Sequence, residues 1–256
     1  MAQSGPGGIE IFEDFTGPEW IIAETAASGS SGPFRVVGQG VADTDAGITI
    51  LESDATGGGL NGVAQMVSPN ASDNDAIFFT TSMMFDVAKM GTIIAEARVR
   101  LPDLDTKEVF FGFSDLNSDT HSMEGVLIHG TGTTTTLTAS DLVGFHFSSE
   151  YTDDDDWHGV YNGGTTTGQT ASGSTDLDKD AAANTFQVLR LELAPNGRVD
   201  WYIDGVLKQT VAGAVSTSVD LACQLGLEIK GTGSNELLDV DYILIRANRD
   251  WTATIS

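Results

Sequence analysis

The sequence predicts an all-β sandwich of two antiparallel sheets, and three observations carry that prediction. Helical periodicity is nearly absent along the chain. Short runs rich in Val, Ile, Phe and Thr recur between clusters of Gly, Asp, Asn and Ser, the spacing expected of short strands joined by turns. A three-stranded meander stands out over residues 186–211. With 256 residues and 40% apolar composition, the chain is long enough to bury a sizeable core as one domain.

Taken in order, strands are predicted over residues 9–15, 47–52, 77–85, 93–101, 109–114, 125–129 and 142–148. Residues 1–40, with a flexible stretch at 29–32, are predicted as an N-terminal arm and first strand packed on a sandwich of residues 41–256. Within 93–101 the odd positions Ile93, Ala95, Ala97, Val99 and Leu101 are apolar, with Glu96, Arg98 and Arg100 between them, so one face is buried and one wet. In the meander, Leu189, Leu191 and Leu193 line one face of a strand that stops at Pro195-Asn196-Gly197. Val199, Trp201 and Ile203 then alternate with polar residues, which places Trp201 in the core, and Asp204-Gly205 signals a tight hairpin. Strands over 225–230 and 240–246 close the domain. Between the strands, residues 130–140 and 151–180 read as long polar loops, the second carrying the run Asp153-Asp154-Asp155-Asp156. No internal repeat is visible.

A formal charge of −25, from 37 acids against 12 bases, repels phosphate backbones and anionic lipid, so neither nucleic acid nor membrane is an expected partner. The single cysteine, Cys223, excludes an internal disulfide and reads as a small buried hydrophobe. The amino terminus offers neither a basic nor an apolar export region, and no stretch approaches the length of a membrane helix.

Several segments together resemble the concanavalin A-like lectin and glucanase superfamily, which includes laminin G-like modules. They are Ile93-Ile94-Ala95-Glu96-Ala97-Arg98-Val99, Val109-Phe110-Phe111-Gly112-Phe113-Ser114-Asp115, the hairpin Trp201-Tyr202-Ile203-Asp204-Gly205, and Val240-Asp241-Tyr242-Ile243, in order over residues 75–247. The resemblance implies a jelly roll of two packed antiparallel sheets with a concave face. In style, an acidic chain rich in Thr, Gly and Asp, it is also similar to the jelly-roll proteins that tailed bacteriophages place on their virions.

The jelly-roll glucanases carry their acids on one strand as E-x-D-x-x-E, so that alternate side chains share a cleft. No such string occurs, and Glu150-Tyr151-Thr152-Asp153 has the wrong spacing. No nucleophile elbow or zinc spacing is present, and His121, His129, His146 and His158 are scattered, so no catalytic residues are assigned. Asp115, Asn117 and Asp119 offer oxygens at alternate positions, either a calcium loop or a capped turn. The acidic run is likewise either a calcium site or a solvated surface. Tyr151, Trp157, His158 and Tyr161 flank that run, either as a platform for a sugar ring or as anchors on a partner protein.

These observations predict a non-enzymatic virion structural protein on the capsid surface, a decoration or cement protein bound to the major capsid protein. By analogy with symmetric capsid sites, a homotrimer is expected. The alternative is a carbohydrate-binding module or host-receptor adhesin with a glycan as partner, and the outside option a divergent glucanase. No cofactor is expected beyond structural calcium.

Overall fold

The computed structural model describes residues 2–3, 7–16, 28–31, 34–41, 46–50, 62–82, 84–153 and 155–249. The early strands are β1 (Ala2–Gln3), β2 (Gly8–Glu13), β3 (Ser28–Ser31), β4 (Phe34–Val37), β5 (Gly47–Ile50), β6 (Ala64–Val67), β7 (Ala76–Thr80) and β8 (Phe85–Asp86). After β9 (Ile93–Arg100) and β10 (Lys107–Ser114) come a helical turn α1 (Met123–Val126), β11 (Ile128–Thr131) and β12 (Thr134–Leu137). Then follow β13 (Leu142–Ser148), β14 (Asp156–Asn162), a second turn α2 (Ser172–Thr175) and β15 (Asp176–Asp180). The chain closes with β16 (Gln187–Leu193), β17 (Val199–Ile203), β18 (Val206–Val211), β19 (Asp220–Ile229) and β20 (Leu237–Asn248).

The described strands form two large antiparallel sheets and a separate hairpin. One sheet runs β1-β2-β20-β9-β16-β17-β18, with β6 on β20 and β5 on β6. The other runs β15-β14-β13-β10-β19-β7-β4-β3, with β8 on β19. Of the opening forty residues, β2 pairs with β20 in the first sheet, and β4 pairs with β7 in the second.

The core lies between the sheets. Ala95, Ala97, Leu189, Leu191, Val199 and Trp201 of the first sheet meet Val109, Phe111, Phe145, Phe147, Leu225 and Leu227 of the second. The two sheets differ on their outer faces. Strands β9 and β16 alternate buried and half-buried, as the sequence predicts for a sheet with one wet face. That wet face carries a ladder of ion pairs such as Arg98 to Asp241 at 2.5 Å and Arg100 to Asp239 at 2.7 Å. Strands β10 and β13, in contrast, are buried at every position, so the second sheet is covered on both sides. The meander is as expected: Asp204 and Gly205 both take positive φ, the conformation of a two-residue hairpin turn. Trp201 is fully buried and donates Nε1–H to the Gly144 carbonyl at 2.8 Å, and Cys223 is buried in the same core.

Three expectations are corrected. Residues 125–129 divide between the turn α1 and the strand β11. The polar loop expected at 130–140 contains most of the β11–β12 hairpin, with Ile128 opposite Leu137. The loop expected at 151–180 contains β14, α2 and β15. In β14 the aromatic positions Trp157 and Tyr161 enter the inter-sheet core while Val160 faces the other way, so the strand's period of two is embedded in a segment whose neighbours are polar.

Candidate functional site

What covers the second sheet is the chain's own segment 116–140. Met123, Leu127 and Ile128 from α1 and its hairpin pack on Phe78, Phe110, Leu142 and Val160, which project from the outer face of the sheet as a second, smaller apolar core. Beside this apolar plug lies a cluster of charge. Glu108 of β10 and Glu228 of β19 are cross-strand partners, and both are fully buried. Lys230, itself buried, places Nζ 2.5 Å from Glu124, 3.5 Å from Glu150, 3.5 Å from Glu228 and 3.6 Å from Glu108. The backbone amides of Met123 and Glu124, at the start of α1, donate to the Glu228 carboxylate, the latter at 3.1 Å. The plug is therefore held at one end by apolar contact and at the other by ionic contact.

A hydrogen-bonded chain extends from this cluster. His146 Nε2 lies 2.7 Å from Glu108 Oε1, His146 Nδ1 lies 3.1 Å from the Tyr151 hydroxyl, and that hydroxyl lies 2.7 Å from Thr135 Oγ1 on β12. The ring of Tyr151 presses against the backbone of the hairpin at Gly130, where a Cβ would come 2.2 Å from the ring carbon Cζ. Carboxylate, imidazole and hydroxyl in sequence resemble a proton relay, but every member is buried and Thr135 has no access to solvent. The chain locks the hairpin to the sheet.

The electrostatics separate the two central acids. Burial pushes Glu108 up, but hydrogen bonds to His129 and His146 and the charges of His146 and Lys230 outweigh it and hold the carboxyl at about 2. Burial and the neighbouring Glu108 charge push Glu228 up to about 8, against the pull of Lys230 and the two amides. Two carboxyls with divergent proton affinities are the layout that general acid and base chemistry uses. Here both are fully buried.

The pair makes stability depend on pH with a definite sign. Glu228 holds its proton more tightly folded than unfolded, so its contribution is complete below about 4.5 and is lost as pH rises toward about 8. Glu108 does the reverse: its contribution is present above about 4.5 and is lost as pH falls toward about 2. The pair's own contribution to stability therefore peaks near pH 4.5, and Glu228→Gln is expected to remove its alkaline part, so that melting temperature falls less, or rises more, between about 4.5 and 8 than in the parent. An unchanged alkaline slope in that variant would place its origin elsewhere.

The residues expected to bind a sugar or partner do not form a platform. Trp157 is fully buried between the sheets, donates Nε1–H to Gln187 Oε1 at 3.0 Å and packs on Phe147. Tyr161 packs on Trp201 in the same core. Tyr151 and His158 lie on the opposite face of the sheet, both buried, with ring centroids 4.3 Å apart. Along β14 the period of a strand sends Trp157 and Tyr161 to one face and His158 to the other, while Tyr151 lies ahead of the strand.

The side chains of the expected calcium loop have partners within the chain. Asp115 accepts from the Asp141 amide at 3.3 Å, while Asn117 accepts from Arg35 Nη1 at 3.4 Å and Asp119 pairs with Arg35 Nη2. The oxygens are split between two partners, one of them already a cation.

Two other groups of ligand-type side chains occur among the described residues. Glu124, His129 and Glu150 converge, with Lys230 Nζ within 3.5 Å of both carboxylates as a built-in cation. The second group, Asp153, Asp155 and Asp156, stands at the rim, beside a pocket of about 370 Å³ lined by Thr133, Asp153, Asp156, His158, Ser172 and Asp176. Burial and the charges of Asp176, Asp153, Asp180 and Asp155 push the Asp156 carboxyl up to about 6. On the wet face of the first sheet, a hollow of about 290 Å³ is lined by Glu96, Arg190, Glu192 and Tyr202, where Arg190 ties up both acids.

Sequence reasoning missed Glu108, Glu228 and Lys230 because they are far apart in the chain and lie in no motif. The available signal was charge inside otherwise apolar strands, Lys107-Glu108 before Val109 and Glu228 after Leu227.

No protein-family model matches the chain, and no curated protein matches it in sequence. Solved structures do match in fold. A protein of unknown function from Shewanella oneidensis MR-1 is 12% identical with a TM-score of 0.58, over 100% of this chain and 93% of that one. A Bacillus licheniformis β-glucanase is 15% identical with a TM-score of 0.53, over 96% and 100%. The carbohydrate recognition domain of Emp46p is 11% identical with a TM-score of 0.50, over 79% and 88%. The likeness is one of fold, the jelly-roll sandwich of glucanases and lectin domains.

Proposed function

We propose that this chain is a non-enzymatic structural protein of a bacteriophage virion, a capsid decoration protein that acts by surface contact with neighbouring capsid subunits. The observation that carries the non-enzymatic reading is the plug. The acid pair with divergent proton affinities, Glu108 and Glu228, is fully buried beneath residues 116–140 and braced by Lys230. Carboxylates placed so serve folding, since a glycosidase needs its acids on either side of an accessible bond. The phage assignment rests on the sequence, an acidic chain rich in Thr, Gly and Asp on this sandwich.

Two measurements test the two halves. Purified protein is expected to release no reducing ends from laminarin, agarose or bacterial exopolysaccharide, and hydrolysis of any of them would overturn the first half. It is expected to co-sediment with undecorated capsids to a saturating stoichiometry, and its absence from the head in particle reconstructions would overturn the second.

The glucanase and lectin-domain folds among its structural neighbours favour a second reading, a carbohydrate-binding module or adhesin. Saturable binding on a glycan array, together with no affinity for capsids, would favour it. With Trp157 and Tyr161 in the core, such binding would use polar groups at the rim rather than an aromatic platform.

A further inference from the structure

The outer faces of the two sheets are in opposite states. That of the second is buried under the plug, while that of the first stands open, with Phe12 39% and Leu207 51% exposed at its two sides. Its charge also sets it apart from the rest of the molecule. Arg98, Arg100, Arg190, Arg198 and Arg246, five of the twelve basic residues, stand on it, each ion-paired with a carboxylate of the same face. The charges nearly cancel there, which leaves almost all of the net −25 on the remaining surface. Two copies of the chain therefore repel each other least with these faces together.

The same face has the side chains of a contact surface. Leu207 stands opposite Tyr202 in the β17–β18 register, and the Phe12 ring lies 6.1 Å from that of Tyr242, itself half-buried. Aromatic residues and arginine are the types enriched where proteins meet. The arginines are already fixed by their ion pairs, and the guanidinium groups of Arg98 and Arg100 lie 4.3 and 4.9 Å over the Phe186 ring. Association therefore costs little side-chain entropy. Six strands, β2, β20, β9, β16, β17 and β18, make a face on the order of 500 Å² in flat projection, and more with side-chain relief, against about 800 Å² per partner in a standard interface.

We propose that this face binds a second copy of the chain, sheet against sheet, with Phe12, Tyr202, Leu207 and Tyr242 in apolar contact and the arginines of each copy meeting the acids of the other. A ladder of alternating cations and carboxylates is complementary to itself, which a face of one sign is not. A patch that meets itself is isologous and closes at two copies, in place of the three expected by analogy. Such a pair forms whether or not the chain sits on a virion.

The test is sedimentation velocity on the full chain over a concentration series, at about 0.01 M and about 0.15 M NaCl. A monomer–dimer equilibrium is expected, tighter at the higher salt because screening relieves the repulsion between the acidic remainders of the two copies. Leu207→Glu and Phe12→Ser are each expected to weaken it roughly tenfold or more. Both side chains are exposed, so each variant is expected to keep its fold, and either one alone keeps the test decisive. Val126→Ser, at an exposed apolar position on the plug, is expected to leave the equilibrium unchanged. A monomer at every concentration and both salts, a dimer that loosens as salt rises, a dimer indifferent to Leu207→Glu and Phe12→Ser, or one lost in Val126→Ser would each overturn the proposal. So would a monomer that binds undecorated capsids and loses that binding in Leu207→Glu, a result that gives the face to the capsid.

Discussion

Replacing Lys230 by Met is expected to destabilise the protein by roughly 3–5 kcal/mol, the cost of leaving buried charge uncompensated. Methionine keeps most of the apolar stem but removes the ammonium that the Glu108, Glu124 and Glu150 carboxylates share, beside the Glu228 carboxyl, which keeps its proton up to about 8. Three of the four are on or beside the plug or its sheet contact, so the loss is expected to loosen residues 116–140 first. In a chain of this length the melting temperature is expected to fall by roughly 10 °C or more. Hydrogen exchange would show the amides of α1 and β11 losing protection ahead of the core strands. Adding Glu124→Gln to the Met variant is expected to recover part of the loss, because it removes one unpaired charge. A Lys230→Met protein within about 1 kcal/mol of the parent would show the cluster to be well solvated, contrary to its burial.

Trp157→Ala carries the second large effect, roughly 3–5 kcal/mol in denaturant unfolding, from the cavity left by a fully buried indole. The same change frees Gln187 Oε1 of its Nε1–H donor, though the Ala182 amide still donates to it at 3.2 Å. Trp157→Phe is expected to cost less, since it refills most of the volume beside Phe147. This pair of variants separates core from contact surface. A surface anchor would lose binding with its stability intact, whereas the indole described here loses stability. An unchanged unfolding midpoint for Trp157→Ala would return the residue to the surface.

Much of the fold is legible in particular residues. The alternation Ile93, Ala95, Ala97, Val99 against Glu96, Arg98, Arg100 specifies a sheet with one wet face, and β9 is that strand. The triplets Leu189, Leu191, Leu193 and Val199, Trp201, Ile203 pair in register, with Leu191 opposite Trp201. The runs Val109-Phe110-Phe111-Gly112-Phe113 and Leu142-Val143-Gly144-Phe145 lack alternation, which is how a strand covered on both faces is written. That reading was available, and it foretells the plug. Strand β14 was harder to see, because Asp153 to Asp156 on one side and Asn162-Gly163-Gly164 on the other give its surroundings the composition of a loop.

By itself the sequence determined the sandwich, the meander, the buried Trp201 and Cys223, and the lack of a glucanase acid string, because each rests on local periodicity or local spacing. Only the tertiary structure decided what the polar residues do. Glu108, Glu124, His129, His146, Glu150, Glu228 and Lys230 meet across more than a hundred residues of chain because β10 pairs with both β13 and β19 while the segment between β10 and β13 folds back over them. Likewise the tertiary structure sent Trp157 and Tyr161 into one core and Tyr151 and His158 beneath the hairpin. Charge and aromaticity are local properties of a residue, but burial depends on which strands lie beside it, and that is settled by long-range pairing.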